Sequence, residues 1–172
     1  APPQSPVVVT QAANATFCVT AAGTAPLSYQ WRFNGISISD ATASCYSRNN
    51  IQTNDAGTYS VLVTNVAGGV TSSVVLVVLV PPVITVPPQG QTNLAGASVT
   101  LSVTATGTAP LGYRWQCDGN AYPPGTNTFL ASQAGDYSVI VSNVAGMVTS
   151  AVAKVLFTNP PPALPGHFNF IC

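Results

Sequence analysis

Along the chain, apolar and polar positions either alternate or run apolar in short stretches, and nothing shows the three-to-four spacing of an amphipathic helix. The stretches are rich in Val, Thr and Tyr and are cut by Gly, Pro and Asn. This is the pattern of an all-β sandwich, in which short strands show one face to a core and the other to water. Asn34-Gly35 and Asp118-Gly119 each follow a Trp closely. Both predict two-residue hairpins, because Asn or Asp followed by Gly tolerates the positive φ of a tight turn. The sequence NVAG, at Asn65–Gly68 and again at Asn143–Gly146, predicts a second hairpin.

The hairpins come in pairs because the chain repeats itself. Residues 55–73 read DAGTYSVLVTNVAGGVTSS and residues 133–151 read QAGDYSVIVSNVAGMVTSA. GTAPLSYQW, Gly23 to Trp31, recurs as GTAPLGYRW, Gly107 to Trp115. A repeat of this length makes each copy one folding unit. The expected division is a first domain over 1–80, a second over 81–157 and a Pro-rich tail over 158–172. Val80 leads through Pro81-Pro82 into the second copy almost without a linker. Two prolines favour extended backbone, so the pair is expected to be semi-rigid and end to end.

The order L-x-core-x-A-x-G, then Trp about a dozen residues later, then D-A-G-x-Y-x-core-x-V-x-N-x-A-G resembles the I-set branch of the immunoglobulin superfamily, in particular the tandem repeats of secreted bacterial proteins. The resemblance spans 6–157. It implies two immunoglobulin-like β-sandwich domains in tandem, with Trp31 and Trp115 in the core on strand C. Tyr59 and Tyr137 become tyrosine corners, each two residues before a core position on strand F. The family's core disulfide is absent from both copies. Its positions fall on Val19 and Val61 in the first and on Val103 and Val139 in the second.

The cysteines lie elsewhere. Alternation turns Cys18 outward beside Val19, and Cys45 outward beside an inward Tyr46. Strands B and E are neighbours in the implied fold, so a Cys18–Cys45 bridge on the outer face is expected. Cys117 falls on the inward side of strand C, two residues after Trp115, and is the expected partner of Cys172, within or between chains. Asp55 is expected to pair with Arg48, whereas Gln133 stands at the matching position of the second copy. The first copy has a short lead-in, so its first edge strand is expected to be reduced. Tyr137 follows Trp115 sooner than Tyr59 follows Trp31, which is expected to cost the second copy strand D, in NAYPPGTNTF. An incomplete sheet edge can accept a strand from elsewhere. The ending HFNFIC alternates apolar Phe168 and Phe170 with polar neighbours, followed by Ile171. It is expected to pair either with the first domain of another subunit or with its own second domain.

Composition sharpens the functional expectation. Charged residues make up 5% of the chain and the formal net charge is zero, against about 25% charged in ordinary globular proteins. A neutral surface rich in Ser and Thr offers little repulsion against self-association, many acceptors for O-linked glycans and no attraction for nucleic acid. The longest apolar run, Val74–Val80, is too short to span a membrane. Four cysteines without metal-ligand spacing, and a start at Ala-Pro-Pro like that of a processed secreted chain, are expectations of a secreted or cell-surface protein. Asn14-Ala15-Thr16 is a lone glycosylation sequon.

No catalytic, metal or cofactor site is predicted. His167 is the single histidine and has no carboxylate near it in sequence. The aspartates sit at turns, and Lys154 is the single lysine, so at most one lysine isopeptide crosslink could form. Tyr122 is the expected exposed aromatic for ligand contact. The expected function is a non-catalytic subunit of an extracellular fibre, pilus-like filament or sheath, a head-to-tail homopolymer held by tail exchange and disulfides. The alternative is an adhesin, carbohydrate-binding or spacer module of a larger secreted protein, which an exposed aromatic platform would favour.

Overall fold

The computed structural model describes residues 6–159. The chain forms two compact units, one built mainly on the residues up to Pro81 and the other on those from Pro82. No helix among the described residues is long and apolar enough to cross a membrane.

The first unit comprises β1 (Val7–Thr10), β2 (Ala15–Cys18), β3 (Ser28–Phe33), β4 (Ile36–Ser37), β5 (Cys45–Arg48), β6 (Gly57–Asn65) and β7 (Gly68–Leu79). One sheet has the order β1-β7-β6-β3-β4, and β2 and β5 pair in the other. β1 runs parallel to β7, while the remaining pairs are antiparallel. Two-residue alternation sets the core. On β2, Ala15 and Phe17 are buried while Thr16 and Cys18 are exposed. On β6, Tyr59, Val61 and Val63 are buried. Trp31 closes the core, and its indole N–H donates to the Ala43 carbonyl at 2.9 Å, so no polar atom is stranded there. The Phe17 ring stacks on Tyr59 with centroids 4.5 Å apart.

The second unit comprises β8 (Val83–Val86), β9 (Gln91–Leu94), β10 (Val99–Ser102), β11 (Thr104–Thr106), β12 (Gly112–Cys117), β13 (Asn120–Ala121), β14 (Thr128–Ala131), β15 (Gly135–Asn143), β16 (Gly146–Thr149) and β17 (Ala153–Thr158). Its larger sheet runs β13-β12-β15-β17-β9, with β16 also on β15. β10 pairs with β14, and β11 with β8. Val103, Trp115, Tyr137 and Val139 are fully buried, and the Trp115 N–H donates to the Thr126 carbonyl at 3.0 Å.

The predicted turns form as read. Asn34 and Gly35 take φ of 47° and 85° between β3 and β4; Asp118 and Gly119 take 48° and 80° between β12 and β13. The NVAG hairpins leave Val66 and Val144 bare at their tips, 88% and 72% exposed.

Two expectations need correction. The stretch NAYPPGTNTF has not lost a strand relative to the first copy, because β13 and β14 bracket it as β4 and β5 bracket residues 38–44. Among the described residues neither unit has a strand in that gap. The shortening lies at the corner before the long strand, which takes residues 49–56 in the first unit and only 132–134 in the second. The longer corner carries a 3-10 turn, Thr53–Asp55. Val19, expected in the core, is only half-buried, because β2 ends at Cys18 and no described strand lies beside residues 20–22. Its counterpart Val103 is buried, and the chain beyond it continues as β11 under β8.

Candidate functional site

Most of the charged and titratable groups are engaged in shaping the fold. Tyr59 and Tyr137 each donate their hydroxyl to the backbone carbonyl four residues earlier, Asp55 at 3.1 Å and Gln133 at 2.9 Å. Burial raises the pKa of both phenols. Asp55 is buried, which by itself would raise its pKa. The backbone N–H of Gln52 at 2.8 Å and the Arg48 guanidinium outweigh that cost and hold the carboxyl below its ordinary value. The same pairing with Asp55 raises Arg48. In the second unit Gln133 instead donates its side-chain amide to the Tyr122 hydroxyl at 3.0 Å.

Cys18 and Cys45 are directly opposed across β2 and β5 and form a disulfide on the outer face. A cross-strand bridge of this kind is the mark of a chain that folds in an oxidising compartment. Cys117 is buried and unpaired among the described residues, and burial raises the pKa of its thiol. Its Sγ and the Asp118 carboxylate occupy the space that a Cβ on Gly135 would need. Cys172, Phe168, Phe170, Ile171 and His167 lie outside the described residues.

The surface is sparse in charge and closed to aromatics. Lys154 pairs with Asp136 at 2.7 Å, Arg114 donates to the Tyr122 carbonyl at 3.2 Å, and Asp118 accepts the Asp136 N–H at 2.9 Å. The outer face of the first unit's larger sheet is neutral where Thr58, Ser60, Leu62 and Thr64 of β6 lie opposite Val75, Ser73, Thr71 and Gly69 of β7. Val8, Val75 and Val77 on its flank are 52%, 47% and 36% exposed. Every aromatic ring among the described residues is buried or half-buried. Tyr122 is therefore not the exposed platform expected of it. It packs on the second core, its ring centroid 4.7 Å from that of Phe129, because its backbone N–H pairs with the Trp115 carbonyl and turns the side chain inward.

Several concavities open at the surface of the first unit. A cleft of about 330 Å³ is lined by Ala21, Ala22, Leu27, Asn65, Gly68 and Val70, among others. Its walls mix aliphatic side chains with Thr64, Asn65 and backbone, and it holds no carboxylate, histidine or thiol. Among the described residues no group of three or more His, Cys, Asp or Glu converges as a metal site would require.

Comparison with known proteins agrees with this geometry. Residues 1–78 match the model of the immunoglobulin I-set domain. Roundabout homolog 1 of Rattus norvegicus is 30% identical over 134 residues, covering 64% of this chain and 8% of that protein. Hemicentin-2 of Mus musculus is 32% identical over 125 residues, covering 64% of this chain and 2% of its own length. This chain thus spans less than a tenth of either curated relative. Both are animal proteins, so the secreted bacterial branch that the repeats resemble gains no support. Among solved structures, the I-band fragment I67-I69 from titin superposes with a TM-score of 0.78 at 21% identity, covering 91% of this chain and 64% of that one. Drosophila OTK, extracellular domains 3-5, does so with a TM-score of 0.65 at 21% identity, covering 90% and 60%. Likeness at such identity speaks to fold alone, and the fold is that of two immunoglobulin-like β-sandwiches in one chain.

Proposed function

We propose that this chain is a non-catalytic, secreted or cell-surface module of adhesion or structural type, whose copies join head to tail through the C-terminal segment. The observation that carries the reading is the disposition of charge. Asp55 and Asp136 are matched by Arg48 and Lys154 inside their own units, and Arg114 and Asp118 are bound to their own backbone. What faces outward on the first unit is largely hydroxyl and aliphatic. Such a surface offers little electrostatic barrier to a second copy. The cross-strand disulfide suits the extracellular setting. Sedimentation velocity over a range of concentrations tests it. The mass should rise above the 17.5 kDa of the chain as concentration increases. A single species of chain mass throughout would contradict assembly.

A second reading is a spacer within a longer protein, favoured by the small share of the curated relatives that this chain matches. It predicts that single species. The carbohydrate-binding form of this alternative has less support, since no described aromatic ring is exposed for a sugar to stack on.

A further inference from the structure

The two tight turns share one geometry but carry different side chains. Asn34 and Asp118 take φ of 47° and 48°, and each is followed by a glycine with positive φ. Each clasps the long strand beside it twice. Asn34 N–H donates to the Thr58 carbonyl at 2.8 Å, and its Oδ1 accepts the Thr58 N–H at 2.9 Å. Asp118 N–H donates to the Asp136 carbonyl at 3.0 Å, and its Oδ1 accepts the Asp136 N–H at 2.9 Å. Both side chains lie over a glycine: a Cβ on Gly57 would stand 2.7 Å from Asn34 Oδ1, and one on Gly135 2.9 Å from Asp118 Oδ2. The second unit therefore shows what a carboxylate does at this place. It keeps the hydrogen bond that the amide makes, because the bond uses the oxygen that both groups possess. Asn34 also meets the conditions under which an amide is lost. Asn34 and Gly35 are both exposed. Gly35 has no side chain to screen its backbone nitrogen, and that N–H meets no acceptor among the described residues. The turn closes onto β4, a two-residue strand at the end of its sheet, so it opens more easily than the core strands. No other asparagine in the sequence precedes a glycine.

We propose that Asn34 is a modification site, where the folded chain deamidates through a cyclic imide and the fold accepts one of the two products. The Gly35 backbone nitrogen loses its proton and bonds to Asn34 Cγ, and the side-chain amide leaves as ammonia. Water then opens the imide. Cleavage between the Gly35 nitrogen and Cγ leaves an aspartyl residue. Cleavage between that nitrogen and the backbone carbonyl carbon leaves an isoaspartyl residue, with the main chain routed through the former side chain. Water is the only co-reactant. The products differ in consequence. The aspartyl form reproduces Asp118, with its carboxylate accepting the Thr58 N–H in a turn of unchanged length. The isoaspartyl form adds a backbone carbon to a two-residue turn, which breaks the fit of that turn to its strands. Either product moves the formal net charge from zero to minus one. The new charge gains no cation from the adjoining pair: Thr58 lies opposite Val75, where the second unit sets Asp136 opposite Lys154.

The experiment holds the full folded chain at mildly alkaline pH in water enriched in heavy oxygen, then maps its peptides by mass spectrometry. The peptide containing Asn34-Gly35 should take up one heavy oxygen and resolve into two isomers on chromatography. Its labelling should outpace that of every other asparagine by about tenfold or more, since only Asn34 has an unscreened neighbour nitrogen. A second measurement tests the fit of the product. Asn34→Asp should keep the unfolding temperature of the unmodified chain and the protection of the Thr58 amide against hydrogen exchange, whereas Asn34→Ala should lower both. An Asn34 that stays unlabelled, or is labelled no faster than the other asparagines, would overturn the modification site. Loss of Thr58 protection in Asn34→Asp as large as in Asn34→Ala would overturn the claim that the fold accepts the aspartyl product.

Discussion

Asp55 shows how a single residue is committed to the corner it builds. Its carboxylate accepts from the Gln52 N–H and from Arg48, and its carbonyl accepts the Tyr59 hydroxyl. Asp55→Ala should lower the stability of the first unit by about 1–3 kcal/mol, the usual cost of stranding a buried donor. The pH dependence has a definite sign. The folded-state pKa is depressed, so the contribution is complete above the unfolded value of about 3.9 and is lost as pH falls through the folded value. Calorimetric unfolding from about pH 3 to about pH 7 should show the wild type's advantage over Asp55→Asn flat at the upper end and shrinking at the lower. An advantage that grows on acidification would refute the assignment. Gly135 makes the complementary case for absence of a side chain. A methyl there meets the Cys117 Sγ and lies 2.9 Å from the Asp118 carboxylate. Gly135→Ala should therefore cost about 1–3 kcal/mol by overpacking. Adding Cys117→Ala should recover part of that loss, and strictly additive effects of the two changes would show that the sulfur is not the obstacle.

At the scale of elements, β2 and β5 form a two-strand sheet that a covalent tie holds at Cys18 and Cys45, 27 residues apart in sequence. In the chain-entropy picture a loop of that size is worth roughly 3–4 kcal/mol. Mild reduction should lower the first unit's unfolding temperature while leaving the second unit's transition in place; equal shifts in both would contradict a local role. How much of this was legible in the sequence follows from which residues act locally. Asn34-Gly35 and Asp118-Gly119 force their hairpins by φ alone, and alternation on β2 places Cys18 outward without help from tertiary structure. The site of the shortening was misread because spacing between Trp and Tyr reports a total, not a place. The residues are missing at the corner, where the second unit dispenses with the 3-10 turn and Gln133 takes the place of Asp55. Tyr122 was misread because its inward turn depends on a backbone bond to Trp115, which no local pattern announces. Val19 is half-buried for a reason equally invisible in its neighbours, the lack of any described strand beside residues 20–22.

For the molecule as a whole, the consequence of repetition is a mismatch between its two units. The second has β8 on β11, while residues 20–22 of the first pair with no strand among the described residues. The head-to-tail reading assigns assembly to the segment His167–Cys172, with Phe168 and Phe170 as its apolar contacts. The chain with Phe168→Ser and Phe170→Ser tests this beside the unmodified chain. Over one range of concentrations the unmodified chain should sediment above the 17.5 kDa of one chain, and the doubly substituted chain should stay at that mass. A doubly substituted chain that assembles like the unmodified one, or an unmodified chain that stays at chain mass throughout, would contradict the account.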